Sequence, residues 1–240
     1  MRTMATGFGR ARAALAVLAL AATAVGATAQ DRKPPETPAT GQAWTAQTKA
    51  EPAVAGITLD ARQTELVRKV NDYFNGIEDL RGSFVQTTAD NKRQRGKFFM
   101  KKPGRVRFEY APPSRQLIVS DGNQIAIQDL DINTDDRVMV DQTPFRMLLK
   151  KDVDLLRDAR ILEVQEAADL IIVALQDKGR DASGKVRLFL AATPALELKE
   201  WVTTDAQGLD TRLEVSALDT TQPIDAALFR IASPTLNKLQ

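Results

Sequence analysis

Ser120-Asp121-Gly122 offers a hydroxyl, a carboxylate and a glycine in succession, the ingredients of a catalytic or phosphate-binding loop. A serine needs a base to become a nucleophile, and the chain contains no histidine and no cysteine. That absence excludes Ser-His-Asp and Cys-His arrangements and His-based zinc sites. A Ser-Lys dyad cannot be identified from spacing, and the chain has no GxGxxG, Walker A or GxSxG. Asp129/Asp131 and Asp135/Asp136 suggest calcium, but DLDINTDD lacks the glycine and terminal glutamate of an EF-hand loop and reads as a solvated turn. Lys101-Lys102 and Lys150-Lys151 are two-residue basic clusters, each followed by a breaker or an acid. Without interleaved exposed aromatics they make no nucleic-acid face. The chemistry-bearing residues therefore point away from an enzyme, and neither a metal nor another cofactor is expected.

The first 29 residues point to the compartment. Arg2, Arg10 and Arg12 form a basic start, Ala13 to Val25 a short apolar stretch, and Ala27-Thr28-Ala29 a small-residue cleavage site. The stretch falls short of the roughly 20 residues that span a bilayer. Residues 1–29 are thus expected to be a signal peptide cleaved near Ala29, leaving a periplasmic protein. Arg10-Ala11-Arg12 is not a twin-arginine pair, so general secretion is the expected route. The whole chain carries 33 basic and 31 acidic residues; without the three arginines of the leader, 30 basic face 31 acidic. A charge near zero gives no overall attraction to nucleic acid or anionic membrane. With no cysteine, stability outside the cytoplasm must come from a core rather than disulfides.

Residues 30–57 are rich in Pro, Thr, Ala and Gln without an apolar period and read as a flexible segment, Trp44 included. The domain is expected over 58–240. Leu59, Leu66, Val67, Val70, Tyr73, Phe74 and Ile77 recur at helical spacing, which predicts an amphipathic helix over about Asp60 to Asn75, ended by Gly76. The period then falls to two. Strands are expected at Leu80–Thr88, Gln94–Lys101, Arg105–Tyr110, Arg115–Ser120, Gln124–Asp129, Arg137–Asp141, Arg160–Gln165, Leu170–Gln176, Val186–Ala191, Glu197–Thr204 and Thr211–Ala217. Short turn-forming separators make consecutive strands antiparallel neighbours, and about eleven strands are too many for one flat sheet. Thr143-Pro144-Phe145-Arg146-Met147-Leu148-Leu149 predicts a short inserted helix with Thr143 as N-cap and Pro144 first, extended by Val153, Leu155 and Leu156.

Leu117-Ile118-Val119 and Leu170 to Leu175 are apolar on both faces, so both faces need cover. Either a helix packs outside the sheet, or a curved sheet has an apolar concave face plugged by the two helices. A chain rich in Leu, Ile, Val and Met but only 5% aromatic suits acyl chains, which lack polar handles. The same residues also simply fill small barrels.

The order of several short pieces across residues 60 to 231 resembles the LolA family, periplasmic carriers of outer-membrane lipoproteins. The pieces are Gly82-Ser83-Phe84-Val85-Gln86-Thr87, then Gly96-Lys97-Phe98-Phe99-Met100-Lys101-Lys102-Pro103-Gly104, and Arg107-Phe108-Glu109-Tyr110 with Pro113. Gln116 to Gly122, Thr143-Pro144-Phe145 with Leu148 and Leu149, and Asp225-Ala226-Ala227-Leu228-Phe229 follow. The resemblance implies a mainly β fold: a single curved antiparallel sheet of about 11 strands, an incomplete, half-open β-barrel with a helical lid. It implies that acylated lipoproteins are received from an inner-membrane ABC-type release complex (LolCDE-like). They would pass to an outer-membrane acceptor, LolB-like or the membrane itself, and the carrier is expected to be a monomer. The lid and acyl-chain cavity would draw on Leu66, Val70 and Phe74 of the first helix and Phe145, Met147, Leu148 and Leu149 of the second.

Two departures from the family pattern stand out. Where members carry Trp-x-Lys-Arg-Pro, whose Arg latches the lid, this chain has Phe99-Met100-Lys101-Lys102-Pro103. Lys102 takes the Arg position, and a point charge makes a weaker multidentate latch than a planar fork. The strand after Asp121-Gly122 is Ile125-Ala126-Ile127-Gln128, without the family's aromatics. A related half-barrel binding another lipid or envelope partner, as a shuttle or sensor domain, is the alternative.

Overall fold

The computed structural model describes residues 55–179 and 184–232. The expected signal peptide and all of 30–57 except its last three residues lie outside them. Helix α1 spans Ala61–Asn75. Its start follows from a capping box: the Asp60 carboxylate accepts from the Gln63 main chain while the Gln63 side chain accepts from Asp60 N–H. Gly76 ends the helix with φ −71°, so its freedom to adopt left-handed backbone is not used. Leu66, Val67, Val70 and Phe74 are buried on one face. Each such side chain contributes roughly 1.5–3 kcal/mol when removed from water.

Eleven strands follow: β1 (Asp79–Thr87), β2 (Arg93–Lys101), β3 (Arg105–Tyr110), β4 (Gln116–Asp121), β5 (Gln124–Asp129), β6 (Thr134–Met139), β7 (Ala159–Ala167), β8 (Leu170–Asp177), β9 (Lys185–Ala191), β10 (Glu197–Thr204) and β11 (Asp210–Asp219). They form one antiparallel sheet in the order β6-β5-β4-β3-β2-β1-β11-β10-β9-β8-β7. The expected half-open barrel is therefore present. One expectation fails: β6 and β7 are consecutive but lie at opposite edges, because β1 pairs with β11 instead. Two meanders are thus joined through their outer ends, and residues 140–158, here the strap, run from one free edge to the other.

The strap corrects the predicted second helix. Residues 143–150 form successive turns, and the only α-helical part is α2, Leu155–Asp158. Thr143 does not cap forward; its buried hydroxyl donates back to Val140 O at 2.7 Å and closes the preceding 3-10 turn. Met147, Leu148 and Leu149 are all buried. Consecutive helical residues diverge by about 100°, so a helix lying on a surface could not bury all three on one side. β6 is also displaced from its expected Arg137–Asp141. The β5–β6 turn covers only 130–133, Asn133 taking φ 55°, and Asp135 and Asp136 fall within β6 rather than in the turn. An edge strand tolerates such polar residues, which gave no apolar alternation to read.

The second faces of the two-faced strands are covered unequally. Ile118 faces inward, while Val119 and Ala126 point outward and are nonetheless buried. The chain after β11 lies there: a 3-10 turn at Ala226–Phe229 packs on β3 and β4, with Ile224 and Phe229 buried. Arg107 donates to Leu228 O at 3.1 Å and Gln128 to Ala232 O at 2.7 Å, fixing this cover. On β8, Leu170, Ile172 and Ala174 remain half-buried. Ser120-Asp121-Gly122 is a corner of the wall. The Ser120 hydroxyl is fully buried on Gly104 O at 2.7 Å, Asp121 accepts from Asn123 and Gln124 N–H, and Gly122 takes φ 106°.

Candidate functional site

Inside the curl lies an apolar cavity of about 100 Å³. Three layers build it. From α1 and its exit come Tyr73, Phe74 and Ile77; from the strap, Phe145, Leu148 and Leu149; from the concave sheet, Phe98, Met100, Phe108, Leu198, Trp201 and Leu213 among others. Among the described residues, hydroxyls enter only through Tyr73, Thr203 and Thr211. The volume is well below the roughly 300–1,000 Å³ of pockets that hold a small-molecule ligand. The helix and the strap fill part of the concave side and leave only this small space.

Of the seven cavity and lid residues expected from the sequence, Phe74, Phe145, Leu148 and Leu149 line the cavity. Leu66, Val70 and Met147 are buried in the surrounding core without reaching its wall. The sheet's contribution was missed, although its signal was present. Phe98/Met100 and Val106/Phe108 are same-face pairs two residues apart, and strand pairing sets Phe98 opposite Phe108 with stacked rings 5.8 Å apart. Trp201 gave no such signal; it meets Phe145 edge-to-face at 6.4 Å, a contact between sheet and strap.

α1 is held against the sheet through polar groups. In β10 the pairing with β9 slips between Leu198 and Glu200, and Leu198 N–H donates to the Tyr73 hydroxyl at 3.1 Å. Burial raises the Tyr73 pKa above its ordinary value, so it remains the neutral hydroxyl. The helix also grips the strap. Asn75 donates to Val153 O at 2.9 Å and accepts from Val153 N–H at 2.8 Å, while Asn71 accepts from Leu155 N–H at 3.0 Å.

The turn between β2 and β3 joins all three layers. Lys102, only 8% exposed, donates its ammonium to Phe74 O at 2.6 Å, and its main-chain N–H donates to Glu78 O at 2.9 Å. Gly104 N–H donates to Leu149 O at 2.9 Å. Gly104 has φ 71°, and a Cβ there would lie 2.8 Å from Gly122 O, so the β2–β3 and β4–β5 turns need a glycine to approach this closely. Desolvation draws the Lys102 pKa down to about 8. The site thus comprises an aliphatic and aromatic cavity, a cover that fills it and a buried amine on the cover's backbone. Among the described residues no group of three His, Cys, Asp or Glu side chains is placed to hold a metal.

The model of a family described as "Outer membrane lipoprotein carrier protein LolA" matches residues 75–232. The match begins at the last residue of α1, so most of that helix lies outside it. The chain is 29% identical over 183 residues to an outer-membrane lipoprotein carrier protein of Leptothrix cholodnii, covering 72% of this chain and 84% of that one. It is 26% identical over 189 residues to the protein of the same name in Halorhodospira halophila, covering 74% and 86%. Among solved structures, a LolA superfamily protein from Nitrosomonas europaea aligns over 70% of this chain and 97% of that one, with 12% identity and a TM-score of 0.43.

Proposed function

Because the chain belongs to the LolA family of outer-membrane lipoprotein carrier proteins, we propose that its cavity takes the acyl chains of lipoproteins in transit through the periplasm. The supporting observation is the apolar cavity walled by Phe98, Phe108 and Leu213 and filled from the open side by Phe74, Phe145, Leu148 and Leu149. Acyl chains are bound by area rather than by polar contacts, at roughly 0.8 kcal/mol per buried methylene. Complete burial of several chains would hold the cargo too tightly for delivery. A cover that competes for the same apolar surface lowers the net affinity, because its own burial is lost when cargo enters.

In this reading Leu148, Leu149, Phe145 and Phe74 are displaced on loading, and Lys102 is the latch that tethers α1 through Phe74 O. Leu66, Val70 and Met147 keep the cover's shape from beneath. The chain acts without making or breaking a bond; the absence of histidine and cysteine and the buried, turn-bound Ser120 support this. The leader ends near Ala29, residues 30–57 precede the carrier domain, and the protein works as a monomer. Cargo comes from an ABC-type release complex of the inner membrane and goes to an outer-membrane acceptor.

A photocrosslinking side chain at position 145 tests the reading in cells. Labelling of acylated proteins is expected. Labelling of free lipids alone, with outer-membrane lipoproteins sorted normally after depletion of this protein, would overturn it and favour a lipid shuttle.

A further inference from the structure

Arg146 stands in the strap between Phe145 and Leu148, both of which line the cavity. Its side chain turns the other way and forms a two-pronged pair with Asp177, Nε to Oδ2 at 2.6 Å and Nη2 to Oδ1 at 2.7 Å. The Asp177 side chain is 1% exposed and the Arg146 side chain 28%. Asp177 ends β8, one strand in from the free edge at β7, whereas the strap departs from β6 at the opposite edge. Among the described residues no strand pairing closes that gap, so this ion pair ties the strap to the far half of the barrel. Planar fork-to-carboxylate geometry fixes orientation as well as distance.

The neighbouring backbone is fitted to the pair. Gly179 N–H donates to Asp177 Oδ1 at 2.5 Å. A Cβ at position 179 would lie 2.2 Å from Arg146 Nη2 and 2.9 Å from Asp177 Oδ1, so the guanidinium occupies the space that any other residue would fill.

We propose that Arg146 and Asp177 are a clamp that holds the strap over the cavity, so that this pair sets how readily acyl chains enter. The proposal rests on the carrier reading and adds to it a pair of positioning residues remote from Lys102. Arg146 need not touch the cargo. It acts through its chain neighbours Phe145 and Leu148, whose withdrawal uncovers Trp201 and the concave wall.

Two variants separate the clamp from general stability. Arg146→Gln removes the charge on the strap, and Gly179→Ala displaces the guanidinium while leaving both charges in place. Each is made in a Trp44→Phe background, so that tryptophan emission reports Trp201 alone. Acrylamide quenching of Trp201 is expected to rise in both, and affinity for a fatty acid carrying a fluorophore is expected to rise roughly tenfold, as the competent open form becomes more populated. Arg115→Gln, at an exposed position outside the cavity lining, serves as a folded reference that leaves the pair intact. Unchanged quenching in Gly179→Ala would overturn the clamp, even if Arg146→Gln fails to fold. Increased quenching without increased uptake would overturn its control of acyl entry and count against the cavity as the acyl site. Increased uptake with no lipoprotein labelled at position 145 would uphold the clamp while rejecting the carrier reading.

Discussion

The Lys102 ammonium rests 2.6 Å from the main-chain oxygen of Phe74, in a position where it is 8% exposed. That oxygen also accepts from Ile77 N–H at 3.2 Å, so it is not orphaned when the lysine leaves. Desolvation puts the folded pKa at about 8, against ~10.4 for an unfolded lysine. Between these values the unfolded chain binds more protons than the folded one, so stability rises with pH. Below pH 8 the charged lysine costs up to ~3 kcal/mol, a cost that fades as pH approaches the unfolded value. Denaturant midpoints measured from pH 7 to 10.5 are expected to climb more steeply for the native chain than for Lys102→Met. Parallel profiles would refute the buried-amine account.

Asn75 exchanges two hydrogen bonds with Val153. Asn75→Ala leaves both main-chain groups of Val153 without that partner in a buried setting, at a cost of about 1–3 kcal/mol. Amide exchange should accelerate at Val153 and in α2 while the β1–β2 amides stay protected. Uniform acceleration would mean that the strap does not open separately.

Gly96 lies in β2 with a hypothetical Cβ 2.0 Å from Glu109 O and 2.7 Å from the Phe84 ring. Gly208, with φ 80°, has nothing within 4 Å of its Cβ. Gly96→Ala is therefore expected to lose about 3 kcal/mol through overpacking, and Gly208→Ala about 1 kcal/mol through backbone strain alone. Urea titration ranks the two, and the reverse order would contradict the close approach of β2 to β3.

Phe84 is 1% exposed, edge-on to Phe108 at 5.4 Å and Tyr110 at 5.1 Å, but does not line the cavity. Phe145 is half-buried at the cavity wall. Phe84→Ala should cost about 3–5 kcal/mol. Phe145→Gln should raise uptake of a fluorescent fatty acid, because less of the cover's own burial is lost on loading, with a much smaller effect on the unfolding midpoint. Equal losses of stability would place Phe145 in the core rather than in a displaceable cover.

The sequence by itself determined the parts whose cause is local. Period-two alternation placed β3, β5 and β10 to the residue, Asp60 and Gln63 wrote the start of α1, and Asp121-Gly122 wrote its own turn. The missing histidine and cysteine bound the chemistry whatever the fold. Tertiary structure decided what depends on partners distant in the chain. The β1–β11 pairing left β6 and β7 as edges, so the strap had a gap to cross. Its apolar residues then gained more from burial on several sides than a short helix could offer, and Thr143 bonded backward. Whether Lys102 would be a solvated charge or a buried donor to Phe74 O, and whether Arg146 would meet Asp177 or water, depended on the same closure. A side chain's environment is set by what packs on it, and spacing along one strand carries no record of the strand that arrives from the other end of the chain.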